Sequence, residues 1–258
     1  MKARFGVRRG TVLLTALLVA VTAAGVQGSA SADTKDNPAH RPDHWGVIAR
    51  NTIGSPVAEL RKGPYGPFGI TGTAARPPYG QGSLGIEVAN NSTTLTPASE
   101  KVDFGNEVDF FGRPVLELRR VGFHVFQTGE NVSYGGPANM PNIRFEIDPD
   151  VTSTDDYSTL VWVPNASPVT NGWSPFIDAT KTGYWYLTGG ETSCNQAAQC
   201  TFTQLKASFA AVNARPTIYT VAVGKGRDFM WIGAVDGLRL NDYVYDFEPE
   251  GVRRLRLR

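Results

Sequence analysis

Between Pro216 and Glu248 the chain reads P-T-I-Y-T-V-A-V-G-K-G-R-D-F-M-W-I-G-A-V-D-G-L-R-L-N-D-Y-V-Y-D-F-E, and this stretch constrains the fold most. Thr217 to Val223 is dense in β-branched and aromatic residues. A K-G-R-D turn leads into Met230 to Val235, and Leu238 to Phe247 makes two more short runs broken at Asn241-Asp242. Short β-rich runs punctuated by Gly, Asn and Asp are the pattern of antiparallel strands closing a β-sandwich. The stretch argues for a shape and leaves the activity open.

The first residues follow a different logic. Lys2, Arg4, Arg8 and Arg9 precede an apolar run from Val12 to Val26, and Ala30-Ser31-Ala32 supplies a small-x-small cleavage pattern before Asp33. That is the layout of a secretory signal peptide over 1–32. The apolar run is short of the ~20 residues that span a bilayer, and no second long run exists, so no transmembrane segment is expected. The expectation is therefore a secreted protein. Arg8-Arg9 lacks the rest of a twin-arginine motif.

Cleavage would leave 21 basic against 24 acidic residues, a net charge of −3. A slightly acidic chain argues against nucleic acid as a partner. The C-terminal segment 251–258, with Arg253, Arg254, Arg256 and Arg258, reads as a basic, solvated tail able to touch anionic polymers. Asp33 to His44 is polar and proline-bearing and reads as a flexible lead-in. One domain is expected over 45–250.

Cys194 and Cys200 are the only cysteines, separated by N-Q-A-A-Q. In an exported chain such a pair reads as a disulfide closing a small loop, worth about 2–3 kcal/mol in the chain-entropy account. A redox or zinc site would want C-x-x-C spacing or nearby histidines, and neither is present.

Strands are expected at Val57 to Leu60, Ser83 to Ala89, Val102 to Phe104, Val108 to Phe111, Leu116 to Gln127, Ile143 to Asp148, Thr159 to Val163 and Tyr184 to Leu187. Gly63 to Gly82 and Gly129 to Asn142 read as loops, and one short helix is expected from Gln204 to Val212, capped by Thr203. The fold class is all-β. Gly80 to Gly85 matches G-x-G-x-x-G, but dinucleotide binding needs a strand before the glycines and a helix after them. Here a proline-rich loop precedes and a β-run follows.

The order of these pieces resembles bacterial exported jelly-roll sandwiches of the concanavalin-A-like and carbohydrate-binding-module type. The resemblance rests on Gly80 to Val88, on Asp148 to Pro164, on Trp173 to Val212, and on the V-D-G-L (235–238) and Y-D-F-E (245–248) endings. It implies an antiparallel jelly-roll β-sandwich and, by analogy, a binding role. It also implies a structural calcium held through Asp236.

Residue chemistry narrows the function. There is no G-x-S-x-G elbow, His40 and His44 fall in the lead-in, and a nucleophilic triad would have to use His124. No zinc pattern appears. Paired carboxylates for glycoside cleavage could come from Glu87, Glu117, Glu146 and Asp148, the last two sharing one face of a strand. Asp148, Asp150, Asp155 and Asp156 crowd one turn and could hold calcium, although Ser153 and Thr159 break the EF-hand spacing. Trp162, Trp173, Tyr184, Trp185 and Tyr186 cluster within 25 residues; such rings stack on sugars or fill a sandwich core. In a strand, Trp185 must face opposite Tyr184 and Tyr186. Sequons at Asn91, Asn131 and Asn165 are short enough to occur by chance.

These readings converge on a non-catalytic binder of a carbohydrate or other cell-envelope component, with a polysaccharide or cell-wall polymer as partner and no required cofactor. Trp173, Trp185 and Tyr186 are the stacking candidates. Asp148, Asp150 and Asp236 are the metal candidates. A glycan-cleaving enzyme on the same fold is the second expectation, and a structural or adhesive surface protein the third.

Overall fold

In this computed structural model the described residues are 44–90, 99–152, 154, 157–166 and 169–257. The leader, the lead-in up to residue 43, Asn91, Asp155, Asp156 and Arg258 lie outside them. In chain order the strands are β1 (Trp45–Val47), β2 (Val57–Lys62), β3 (Gly82–Val88), β4 (Val102–Asn106), β5 (Val121–Gln127), β6 (Asn142–Asp148) and β7 (Ser158–Val163). They continue as β8 (Gly172–Trp173), β9 (Ile177–Asp178), β10 (Tyr184–Leu187), β11 (Thr217–Lys225), β12 (Trp231–Leu240), β13 (Tyr243–Glu248) and β14 (Gly251–Arg256). Two α-helices accompany them, α1 (Gly129–Gly135) and α2 (Phe202–Ala211).

The strands form two antiparallel sheets. A six-stranded sheet runs β1-β4-β11-β6-β7-β10, and an eight-stranded sheet runs β14-β13-β12-β3-β2 with β5, β8 and β9 attached at β12 and β5. Period-two alternation puts Phe104, Ile143, Phe145, Trp162, Trp185 and Val223 of the first sheet into one core with Leu84, Ile86, Phe123, Val125, Val235 and Phe247 of the second. This is the sandwich expected from the sequence.

β12 shows how one residue keeps the pattern legal. Its inward series breaks after Val235, where the pairing with β5 shifts register between Asp236 and Arg239. Gly237 sits there at φ +61°, a conformation that suits glycine, and the extra residue returns Leu238 and Leu240 to the core.

Several local expectations are corrected. Residues 251–256 are not a frayed tail: they form β14, paired with β13 from Glu248↔Gly251 to Tyr243↔Arg256, and Val252 is buried. The V-R-R-L-R alternation was masked by its charge. Val108 to Phe111 is a turn, because Asn106 accepts from the backbone N–H groups of Val108 and Asp109 and closes it. Among the described residues there are two α-helices rather than one. α1 lies in the stretch read as a loop. α2 starts two residues earlier than expected, where Thr201 and Gln204 form a reciprocal capping box. Asn131, a sequon residue, is wholly buried and uses its side chain on the backbone of Ile232, so it is no modification site. Among the described residues, no helix is long and apolar enough to cross a membrane.

Cys194 and Cys200 are joined by a disulfide, as expected. Cys194 packs into the core beside Leu187, whose N–H donates to the Cys194 carbonyl at 2.9 Å.

Candidate functional site

With Ile143, Phe145 and Ile147 turned inward, β6 presents Arg144 and Glu146 on the outer face of the six-stranded sheet. Register then fixes their neighbours. Arg144 stands opposite Ala222 of β11 and Val161 of β7, and Val161 stands opposite Tyr186 of β10. Glu146 stands between Thr220 and Thr159. Asp103 of β4 stands opposite Gly224. The residues between these side chains are small, with Gly105 opposite Ala222, so the middle of the face is low. Together with Asn51, Lys101, Thr188 and Gly226 these residues line an open groove of about 210 Å³.

The groove's carboxylates are already engaged. Arg144 pairs with Asp103, and Lys101 Nζ lies 3.6 Å from the other Asp103 oxygen. Arg144 also donates to the Gly226 carbonyl at 2.7 Å. Glu146 accepts from Asn51 at 2.8 Å, from the Tyr157 hydroxyl at 2.9 Å, and from Arg50. Burial pushes the Glu146 carboxyl up. The bonds from Asn51, Thr220, Tyr157 and Arg50 outweigh it and hold the group below its usual range. Under the same end of the groove Lys225 is fully buried and paired with Asp228. Burial and the neighbouring Arg144 charge lower its pKa against the pull of Asp228. Burial raises the Tyr186 phenol, with Arg144 pulling the other way.

The aromatic expectation holds only in part. Trp185 is wholly buried: its ring packs against Phe202 and Phe145, with centroids 5.5 and 6.1 Å away, and its Nε1 donates to the Ala179 carbonyl at 2.8 Å. A ring so placed cannot stack on a ligand, and that assignment is corrected. Trp162 is core as well, edge-on to Phe123. Trp173 belongs to β8 of the other sheet, where it covers Phe126. Tyr186, one residue along from Trp185, takes the opposite face and borders the groove. The three proposed stackers therefore do not meet.

The metal candidates do not converge either. Asp148 and Asp150 adjoin at the end of β6, but Asp148 accepts from the Asp150 N–H and Asp150 from the Arg215 N–H. Asp236 lies in the eight-stranded sheet and receives the backbone N–H of Tyr79 on one oxygen and of Phe247 on the other. Among the described residues, no three His, Cys, Asp or Glu side chains are grouped to hold a metal ion. His124 packs edge-on to Tyr79 with Nδ1 2.9 Å from the Ser174 carbonyl, and burial lowers its pKa. Glu87 accepts from Tyr65. Gly82 to Val88 is a strand, so the glycine-rich match before it opens no helix.

The outer face of the eight-stranded sheet carries Asp236, Asp246 and Glu248 beneath residues 79–81. Burial raises Asp236 to about 8, helped by Asp246 and opposed by the backbone bonds; burial and Glu248 raise Asp246 to about 6. Asp246 is almost fully buried and its Oδ1 has no hydrogen-bond partner among the described residues. Gly80, at φ +47°, lies so close to Glu248 Oε1 that a side chain there would have to displace that carboxylate.

Sequence reasoning missed Asn51, Lys101, Asp103 and Arg144. The signal for Arg144 and Glu146 was the alternation of I-R-F-E-I, with polar residues at every second position. Asp103 and Lys101 could not be joined to them without the strand order β4-β11-β6. Compared with protein families, with characterised proteins and with solved structures, the chain matches none.

Proposed function

We propose that this is an exported, non-catalytic carbohydrate-binding protein on a jelly-roll-type sandwich, and that the groove on the outer face of its six-stranded sheet is the binding surface. The leader pattern over 1–32 and the disulfide between Cys194 and Cys200 both fit an oxidising, extracytoplasmic compartment.

The observation that carries the reading is the groove itself. It is open, floored by rigid strands, lined with hydroxyl, amide and charged groups, and bordered by the half-buried Tyr186 ring. Its 210 Å³ is below the ~300–1,000 Å³ of pockets that engulf a small molecule. That size suits one sugar unit of a longer chain lying across the strands.

Cleavage is the weaker reading on geometric and electrostatic grounds. Glu146 pairs with Thr220 and Asp103 with Gly224 on opposite sides of β11. Strand rise and spacing then place their Cα atoms roughly 16 Å apart, and each carboxylate is turned onto its own cations, Asp103 onto Arg144 and Lys101 and Glu146 onto Arg50, rather than toward a shared bond. A general acid also needs a raised pKa, and that of Glu146 is held low.

A glycan array probed with the chain lacking residues 1–32 tests the proposal. Binding to a saccharide class, lost by at least about tenfold in Tyr186→Ala, is expected of a ring that anchors a ligand. A reducing-end assay on the bound glycans should give no product. No binding to any glycan, or equal binding by the variant, contradicts the proposal.

A further inference from the structure

We infer that the groove selects an acidic sugar, one whose anionic substituent sits beside Lys101 and the Arg144 guanidinium while Tyr186 borders the ring. This rests on the carbohydrate-binding reading above and adds a ligand class to it.

The argument is an inventory of hydrogen-bonding capacity. Both Asp103 oxygens face cations, one Arg144 and the other Lys101. Glu146 takes Asn51 and Tyr157 on Oε1 and Arg50 on Oε2. The charged acceptors of the groove are thus taken up. The donors are not. Lys101 has three N–H groups and one carboxylate contact, at the long distance of 3.6 Å. The Tyr186 hydroxyl stands near Arg144, with no acceptor for it among the described residues. A site whose carboxylates are engaged and whose cationic and phenolic donors are left over fits an acceptor-rich, anionic ligand.

Charge points the same way. At the Gly226 end of the groove Lys101 and Arg144 share the single carboxylate of Asp103, which leaves one positive charge in excess there. Glu146, farther along β6, is taken by Arg50, and the buried Lys225 is paired with Asp228 outside the groove. Lys101 carries the consequence: burial and the adjacent Arg144 lower its pKa, with Asp103 opposing. An anion placed between Lys101 and Arg144 would relieve that repulsion and gain charge-assisted hydrogen bonds. Carboxylate and sulfate share this chemistry, and the binding experiment separates them.

The test is calorimetric titration of the chain lacking residues 1–32 with oligosaccharides of galacturonan, mannuronan, guluronan and glucuronan. Each is compared with its carboxyl-reduced, neutral counterpart, alongside a sulfated galactan and a panel of neutral glucans, xylans and mannans. At least one acidic chain is expected to bind ten times or more tighter than its neutral counterpart, and raising salt from 50 to 500 mM should weaken that binding. Lys101→Gln should abolish the preference for the acidic form, while Tyr186→Ala weakens acidic and neutral forms alike. Should Lys101→Gln fail to fold, the salt dependence of the unaltered chain decides. Neutral chains binding as well as acidic ones, without salt dependence, overturn the inference but leave carbohydrate binding standing. No binding across both panels overturns both.

Discussion

The outer faces of the two sheets carry buried carboxylates in opposite states. On the six-stranded sheet, Asp103 and Glu146 are met by Arg144, Lys101, Arg50, Asn51 and Tyr157, and Glu146 is held below its usual pKa. On the eight-stranded sheet, Asp236 and Asp246 lie under residues 79–81 with backbone donors on the first and an unpartnered oxygen on the second, and both pKa values are raised. Burial is comparable on the two faces. What differs is the supply of cations and donors. A sheet face equipped with partners stays charged and open. One without them must be covered by a loop or titrate.

The largest effect should come from removing the anion that organises the open face. Asp103→Ala leaves Arg144 and Lys101 in a shielded site without their carboxylate, and a loss of about 3–5 kcal/mol in urea unfolding is expected. Asp246→Asn removes a group that burial and Glu248 disfavour as a charge, and at pH 8, where the carboxyl is ionised, it should raise stability rather than lower it. If the two substitutions cost the same, the contrast between the faces fails.

Next in size is the disulfide. Reduction of Cys194–Cys200 should lower stability by about 2–3 kcal/mol without altering glycan binding, because the bridge packs behind β10 and contributes no side chain to the groove.

pH separates the faces more finely. An aspartate unfolds with a pKa near 3.9, whereas Asp236 keeps its proton in the folded chain up to about 8 and Asp246 up to about 6. Between those values the folded state binds more protons, so these two groups make stability fall as pH rises from 4 to 8. Glu146, with its lowered pKa, contributes in the other direction: its stabilisation is present above the unfolded glutamate value and is lost as pH falls through the folded one. Melting temperatures across pH 4–8 should show a smaller decline in Asp236→Asn than in the unaltered chain. An unchanged profile would remove the covered face from the account.

How much of this was legible beforehand follows from the range of the interactions involved. Alternation and turn residues are local, so the strands at 143–148, 159–163 and 217–223 and the helix after the disulfide could be read off the chain. The same alternation said that Trp185 and Tyr186 face opposite ways, but not which of them faces in. That depends on Phe202 and Phe145, contacts set by packing rather than by neighbours in sequence. The groove was less legible still, because Asp103 and Arg144 meet across β11 and Arg50 and Glu146 meet across 96 residues. β14 was hidden by its arginines, which edge strands carry where their outward side is left open to solvent.

Hydrogen exchange measured by mass spectrometry, with and without the saccharide that binds tightest, tests the account most directly. Protection is predicted in β6 (Asn142–Asp148), β7 (Ser158–Val163) and β10 (Tyr184–Leu187), with the segment 63–82 over the eight-stranded sheet unchanged. Protection confined to 63–82 and β13, with β6 and β10 unaffected, would contradict the assignment of the binding surface to the six-stranded sheet.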